Sequence, residues 1–296
     1  MSPPYAVATH PRLGYRHLEP LPSAEELQKF YREHYYETIA TGMNAPELNR
    51  LMREDDEARA EREWLARTLW ADVREVGEAL LPEVSPRTLV DIGCGPGHLL
   101  GFLAQAGWQV AGVEVSQEAA GRARQAGLSI HGSVPELIAA NPEGFHAATL
   151  LNVLEHVNDP VGVLRSARAA LRPGGIVVVR VPNDFSELQE LARQRLGAEP
   201  WWVAPPDHIH YFDFASLERT IEDCGFKVVE RLTDFPMELF LLMGDHYVGN
   251  PEVGKACHRR RRALEMALPP ERRRRLYQAF AAQGMGRNAL VFARAM

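Results

Sequence analysis

The feature that most constrains this chain begins at residue 88, where short apolar runs start to alternate with amphipathic stretches. Thr88–Ile92 is a buried-strand run that ends in Gly93-Cys94-Gly95-Pro96-Gly97. Comparable runs recur at 109–115, 128–131, 147–151, 176–181, 226–232 and 288–293. Helical patterns follow through about 106, at about 117–126, from Asn158-Asp159-Pro160 to Pro173-Gly174-Gly175, and around Leu217, Ile221 and Cys224. Proline suits the first turn of the third of these helices, and the Pro-Gly-Gly stops it. Strands separated by helices pair in parallel. The pattern therefore predicts an α/β fold, a doubly wound, mostly parallel sheet of seven strands.

The chain before residue 88 reads differently. Pro3, Pro4, Pro11, Pro20 and Pro22 punctuate an entry segment without clear periodicity. Ser23-Ala24-Glu25-Glu26 fits a capping box opening a helix with Leu27, Phe30, Tyr31 and His34 on one face. A second helical stretch, about 46–81, carries Trp64, Leu65, Leu69 and Val73 as its apolar stripe and stops at Leu81-Pro82. The expected organisation is an N-terminal helical cap over 1–85, a core domain over 86–235, a helical insertion over 236–286, and the last core strand over 287–296. The insertion is expected to cap a substrate.

Composition narrows the function classes. Lys and Arg number 33 against 39 Asp and Glu, a net charge of −6 that argues against wholesale nucleic-acid binding. Two basic clusters, Arg259–Arg262 and Arg272–Arg275, keep a docking surface for nucleic acid or protein in view; the favoured reading is a solvated helix face over Leu264, Met266, Leu268, Leu276 and Phe280. The three cysteines, Cys94, Cys224 and Cys257, form no disulfide framework or metal knuckle. With no signal-like leader and no run of about 18 apolar residues, a cytoplasmic chain without a membrane span is expected. Its oligomeric state is open, a homodimer included.

The loop after the first core strand carries the strongest chemical signal. Its glycines let the backbone approach a ligand without a Cβ clash, and the following helix offers free amides. Glu114 stands 21 residues after Gly93, at the end of the next strand, where an acid can accept from both hydroxyls of a ribose. The spacing is G-x-G-x-G, with His98 where a dinucleotide fingerprint has its third glycine. That disfavours a pyrophosphate cofactor and leaves a nucleoside ligand.

On these residues the chain resembles the class I S-adenosylmethionine-dependent methyltransferases of small-molecule type, such as sugar- and quinone-modifying members. Asp91–Gly97 is similar to their first motif, and Glu114 to their ribose-binding acid. Leu151–Val157 is similar to the segment after their fourth strand, and Leu171–Gly175 to the turn before their fifth. The resemblance implies a Rossmann-like seven-stranded methyltransferase sheet with a helical cap, and S-adenosylmethionine as cofactor with S-adenosylhomocysteine as product. It implies cofactor contacts at Asp91, Gly93, Cys94, Gly95, Gly97, Glu114, Val115, Asn152 and Val153. Many relatives have an acid after the third strand; Gly132-Ser133-Val134 stands here, so the adenine contact falls to backbone or Ser133.

Methyl transfer to a hydroxyl requires that a proton be removed, and histidine is the usual agent near neutrality. His156, His208 and His210 fall in loops at the carboxyl edge of the sheet, where open α/β sheets bind ligands. Asp207–Phe212 resembles an acid-His-x-x-Tyr-Phe stretch of small-molecule methyltransferases, which implies His208 as base and Asp207 as its orienting neighbour. On an extended strand His208 and His210 would share a face. No further convincing ligand joins His208, His210 and Asp207, so no metal is expected. The expected activity is O-methylation of a small molecule: a sugar or glycan precursor, a quinone or a polyketide. The alternatives are a nucleic-acid or protein methyltransferase and a cofactor-binding protein without turnover.

Overall fold

The computed structural model describes residues 5–29, 50–51, 53 and 55–296. Phe30, Tyr31 and His34 of the first expected helix, and the start of the second, lie outside the described residues. In chain order the strands are β1 (Ala6–Thr9), β2 (Arg16–Glu19), β3 (Thr88–Ile92), β4 (Gln109–Val113), β5 (Ser129–His131), β6 (Phe145–Leu151), β7 (Leu171–Pro182), β8 (His210–Tyr211), β9 (Phe226–Leu232) and β10 (Asn288–Ala295). The helices that the argument uses are α1 (Ala24–Lys29), α2 (Asp56–Arg67), α3 (Leu69–Leu80), α4 (His98–Gln105), α5 (Gln117–Gln125), α6 (Val134–Ala140), α7 (Pro160–Ala170), α8 (Glu187–Leu196), α9 (Phe214–Asp223), α10 (Glu238–Leu242), α11 (Pro251–Ala267) and α12 (Pro270–Ala282).

Seven strands form the main sheet in the order β5-β4-β3-β6-β7-β10-β9. The pairs β5–β4, β4–β3, β3–β6 and β6–β7 are parallel, while β10 runs antiparallel to both β7 and β9. Strand alternation sends side chains to two cores. Val90, Val177, Val179 and Val291 face one side and meet α6, α7 and α9 through Leu137, Leu164 and Leu217. Leu89, Ile176, Val178 and Phe292 face the other side and meet α2, α3, α4 and α5 through Trp64, Val73, Leu100 and Ala123. The strand order reverses between β3 and β6, so the loops after these two strands flank the crevice in which such sheets bind ligands.

Two expectations need correction. The N-terminal cap is not wholly helical: β1 and β2 form an antiparallel hairpin, and β8 adds to it through Arg16↔Tyr211 and His17↔His210. Each strand is four residues or fewer, and only Leu18 of the hairpin strands is buried, too short a pattern for a period of two to register.

The arginine clusters also sit differently. Leu264 and Leu276 are exposed, whereas Arg261 and Arg273 are buried. Arg273 grips Asp72 with two bonds of 2.7 and 2.8 Å, Arg274 meets Glu75 at 2.5 Å, Arg262 meets Glu61 at 3.1 Å and Arg260 meets Asp245 at 2.6 Å. The Arg262, Arg273 and Arg274 pairs fasten the insertion helices α11 and α12 to α2 and α3, while the Arg260 pair stays within the insertion. All three cysteines are free and buried. Among the described residues no helix is long and apolar enough to cross a membrane.

Candidate active site

The loop after β3 is built for close approach. Gly93, Gly95 and Gly97 take φ of 77°, 53° and 81°, values that side-chain-bearing residues adopt only with strain. A Cβ on Gly93 would stand 2.7 Å from Val153 Cγ2, so the loops after β3 and β6 face each other closely. A Cβ on Gly95 would meet nothing within 4 Å, leaving open space at the middle of the loop. Beneath it, Asp91 is buried and accepts from the Thr149 hydroxyl at 2.6 Å; burial pushes its carboxyl up to about 7. Asp91 therefore ties β3 to β6 under the loop. Cys94 likewise turns into the core, its Sγ 3.7 Å from the Gly95 carbonyl oxygen, and burial pushes the thiol up.

Glu114 accepts from the Gly95 amide at 2.9 Å and the Ser116 amide at 2.7 Å. Each carboxylate oxygen keeps acceptor capacity beyond these bonds. Burial raises the Glu114 carboxyl against the pull of the amides. Val115 beside it is 75% exposed. Ser133 caps α6, its hydroxyl accepting from the Glu136 amide at 3.4 Å. Across the crevice Asn152 is exposed and left-handed, with φ of 58°, and its Oδ1 accepts from Arg180 Nη1 at 2.8 Å. A nucleoside cofactor fits this donor and acceptor set: an open glycine cradle, an acid at the next strand end, and an opposing polar loop.

Four residues further along, the second half of the site begins. His156 Nδ1 lies 2.8 Å from the Asp207 carbonyl oxygen and 3.4 Å from Asp207 Oδ1. His156 Nε2 lies 3.8 Å from Glu155 Oε1, and His208 Nε2 lies 4.0 Å from Asp207 Oδ2. The two imidazoles meet edge-on with centroids 4.9 Å apart. The amides of Ile209 and His210 donate to the Glu155 carbonyl oxygen at 2.9 and 3.2 Å, lacing this loop to the one after β6.

The electrostatics separate the histidines. Burial disfavours the charged form of His156, but the Asp207 bond and the Glu155 carboxyl outweigh it and lift its pKa to about 9. Burial and the neighbouring His156 charge press His208 down to about 3. At pH 7 the pair is therefore one imidazolium and one neutral ring. Asp207 lies nearer to His156 than to His208, so its first partner is not the histidine that sequence reasoning assigned to it. His210 turns away from both: its ring packs on Tyr15 at 5.3 Å and His17 at 6.3 Å, with its pKa lowered to about 4 by burial and by His17. The shared face expected for His208 and His210 is not formed, because the strand comprises only 210–211 and His208 precedes it.

Two acids escaped the sequence reading. Glu155 is 1% exposed, and neither of its carboxylate oxygens has a hydrogen-bond partner among the described residues. Asp184, after β7, is 2% exposed and pushed up to about 7 by burial, with Oδ1 accepting from Gln189 Nε2 at 3.2 Å. The sequence signal for Glu155 is its place in Leu151–Val157, the segment similar to the one after the family's fourth strand. The structure also gathers a different set of possible ligands from the Asp207, His208 and His210 that the sequence suggested. Donor atoms of Glu155, His156 and His208 lie within 4.8 Å of one another, a set of types that suits a divalent cation. The His156 imidazolium already balances part of that carboxylate charge.

A doubly wound sheet whose first loop is a glycine cradle, with an acid at the end of the next strand, is the frame of the class I methyltransferases. A family model described as a methyltransferase domain matches residues 61–231, more than half of the chain, and the chain belongs to that family of S-adenosylmethionine-dependent enzymes. It is similar to a ubiquinone biosynthesis O-methyltransferase of Caulobacter vibrioides, 36% identical over 41% of this chain and 51% of the relative. The enzyme of the same description from Haemophilus ducreyi is 33% identical over 43% and 58%. The match thus spans a little over half the length of these relatives. In fold the chain is similar to an S-adenosylmethionine-dependent methyltransferase of Archaeoglobus fulgidus, with TM-score 0.50, 14% identity and coverage of 88% and 100%. It is equally similar to a (4+2)-cyclase, SpnF, with TM-score 0.51, 19% identity and coverage of 93% and 98%. The fold alone is therefore compatible with more than one chemistry.

Proposed function

We propose that this chain methylates a hydroxyl oxygen of a small molecule, with a hydroxylated quinone-type ring as the first acceptor class and a sugar as the second. The observation that carries the reading is the His156–His208 pair, with rings 4.9 Å apart and His156 held by Asp207, in the loop that continues from the cofactor crevice. S-adenosylmethionine supplies an electrophilic methyl group on a sulfonium centre and leaves as neutral S-adenosylhomocysteine. Gly93, Gly95 and Gly97 would admit it closely, Glu114 would accept from its ribose hydroxyls, and Asn152 and Val153 would line the opposite side.

His208 is the candidate base. The acceptor oxygen's proton becomes strongly acidic as the new C–O bond forms, so even a weakly basic imidazole takes it at that stage. His156, held by Asp207 and Glu155, keeps its proton and orients its neighbour. The curated relatives act in ubiquinone biosynthesis by name, which supports the ring as first choice. Arg260, Arg261, Arg262, Arg273 and Arg274 are paired to acids of the chain itself, which weakens the nucleic-acid reading. Incubation with S-adenosylmethionine and either an ortho-dihydroxylated aromatic ring or a free hexose separates the acceptor classes. A methyl ether on the ring alone is expected, and one on the hexose alone reverses the order.

A further inference from the structure

Arg180 occupies a position where the strand pattern calls for an apolar side chain. It follows Ile176 and Val178 on one face of β7, in a run otherwise made of valine and isoleucine, and its side chain is 7% exposed. Burying a guanidinium is costly, and a buried ion pair is often no more stable than an apolar pair of similar size. Local rules broken in this way point to function more than to stability.

What Arg180 touches supports that reading. Nη1 donates to Asn152 Oδ1 at 2.8 Å, and the Arg180 carbonyl oxygen accepts from the Asn152 amide at 2.8 Å. Asn152 is thus held at side chain and backbone in its left-handed conformation, directly before Val153, which faces Gly93. On its other side Nη2 reaches Asp234 Oδ2 at 3.4 Å. Asp234 also accepts from Arg261 Nη2 at 2.9 Å and from the Asn288 amide at 2.9 Å. Arg261 belongs to the insertion helix α11. It packs over the Trp64 ring at 4.9 Å and donates to Glu265 at 3.3 Å, and Glu265 accepts from Trp64 Nε1 at 2.6 Å. An unbroken line of polar contacts therefore runs from the cofactor loop to the helical insertion.

We propose that Arg180 is a positioning residue for the cofactor: its fork fixes Asn152 at the crevice on one side and, through Asp234, is itself fixed by Arg261, so that docking of the insertion and cofactor affinity are linked. The proposal rests on the placement of the cofactor against Asn152 given above. A planar fork is needed to bridge two acceptors, and a lysine keeps the charge but loses the bridge.

The test is calorimetric titration of S-adenosylhomocysteine into the full chain and into Arg180→Lys, Asn152→Ala, the double variant and Arg261→Gln, with thermal melting to establish that each is folded. Arg180→Lys and Asn152→Ala are each expected to weaken binding about tenfold, the loss of one charge-assisted hydrogen bond. The double variant should bind no more weakly than Asn152→Ala, because both remove one interaction. Arg261→Gln should weaken binding at least threefold while touching nothing at the crevice. Wild-type affinity in folded Arg180→Lys, with Asn152→Ala weakened, overturns the positioning role and leaves the cofactor placement standing. Wild-type affinity in Asn152→Ala removes that placement and the proposal with it. Wild-type affinity in Arg261→Gln overturns the link to the insertion.

Discussion

His208 and His156 differ through their surroundings, and the difference fixes how activity depends on pH. His208, pressed down to about 3, is neutral from mildly acidic pH upward, so an inflection near neutrality is not expected from it. His156 keeps its proton until about pH 9, and activity that needs its charge falls as pH rises through that value. The same shift, upward from 6.5, contributes stability that is fully present below pH 6.5 and lost as pH rises through about 9. His208→Ala is expected to lower turnover by about 10²–10⁴ with S-adenosylhomocysteine affinity unchanged; unchanged turnover would remove it from the mechanism. Glu114→Ala should cost at least ~1.5 kcal/mol of cofactor binding, read by titration as about tenfold or more, and a change under twofold would exclude it as the ribose ligand. Much of this scale was legible in the sequence. The glycines and Glu114 stood out because their spacing is local. Glu155, Asp184 and Arg180 did not, because their roles depend on neighbours brought together from distant segments.

At the scale of elements, ion pairs do what apolar stripes do elsewhere. Helices α11 and α12 turn Arg261, Glu265, Arg273 and Tyr277 inward and leave Leu264 and Leu276 exposed. A periodicity argument expects the reverse, and so it missed how the insertion docks. Breaking one partner of a buried pair is strongly destabilising, so Arg273→Met, which leaves Asp72 only the longer 3.4 Å contact to Arg274, should cost about 3 kcal/mol of unfolding free energy. Denaturant titration checks this, and a loss under 1 kcal/mol would mean that the pair is dispensable. The core strands were legible because each is a short apolar run set off by helical patterns or turn residues. The strands β1 and β2 were not, since each has only four residues, and β8 was not, since it pairs with residues nearly two hundred positions away. Helix α8 buries only Gln189 and Ala192, too little apolar patterning to announce it.

At the scale of the whole molecule, the two halves of the site are brought to one edge by the sheet order. The crevice between β3 and β6 holds the cofactor loops, and the β6 loop continues into His156, which meets the segment before β8. Residues 155, 184 and 207–208 come from three loops, and the β1–β2 hairpin braces the last of them through β8. The insertion and the N-terminal helices close over one face through the arginine pairs. The most direct measurement of the central claim is incubation of the purified chain with trideuteromethyl-labelled S-adenosylmethionine and a panel of hydroxylated small molecules, followed by mass spectrometry. The account predicts the label on an acceptor oxygen, dependent on Glu114 and His208. Label that stays on the cofactor with every acceptor, or that appears on protein or nucleic acid instead, would contradict it.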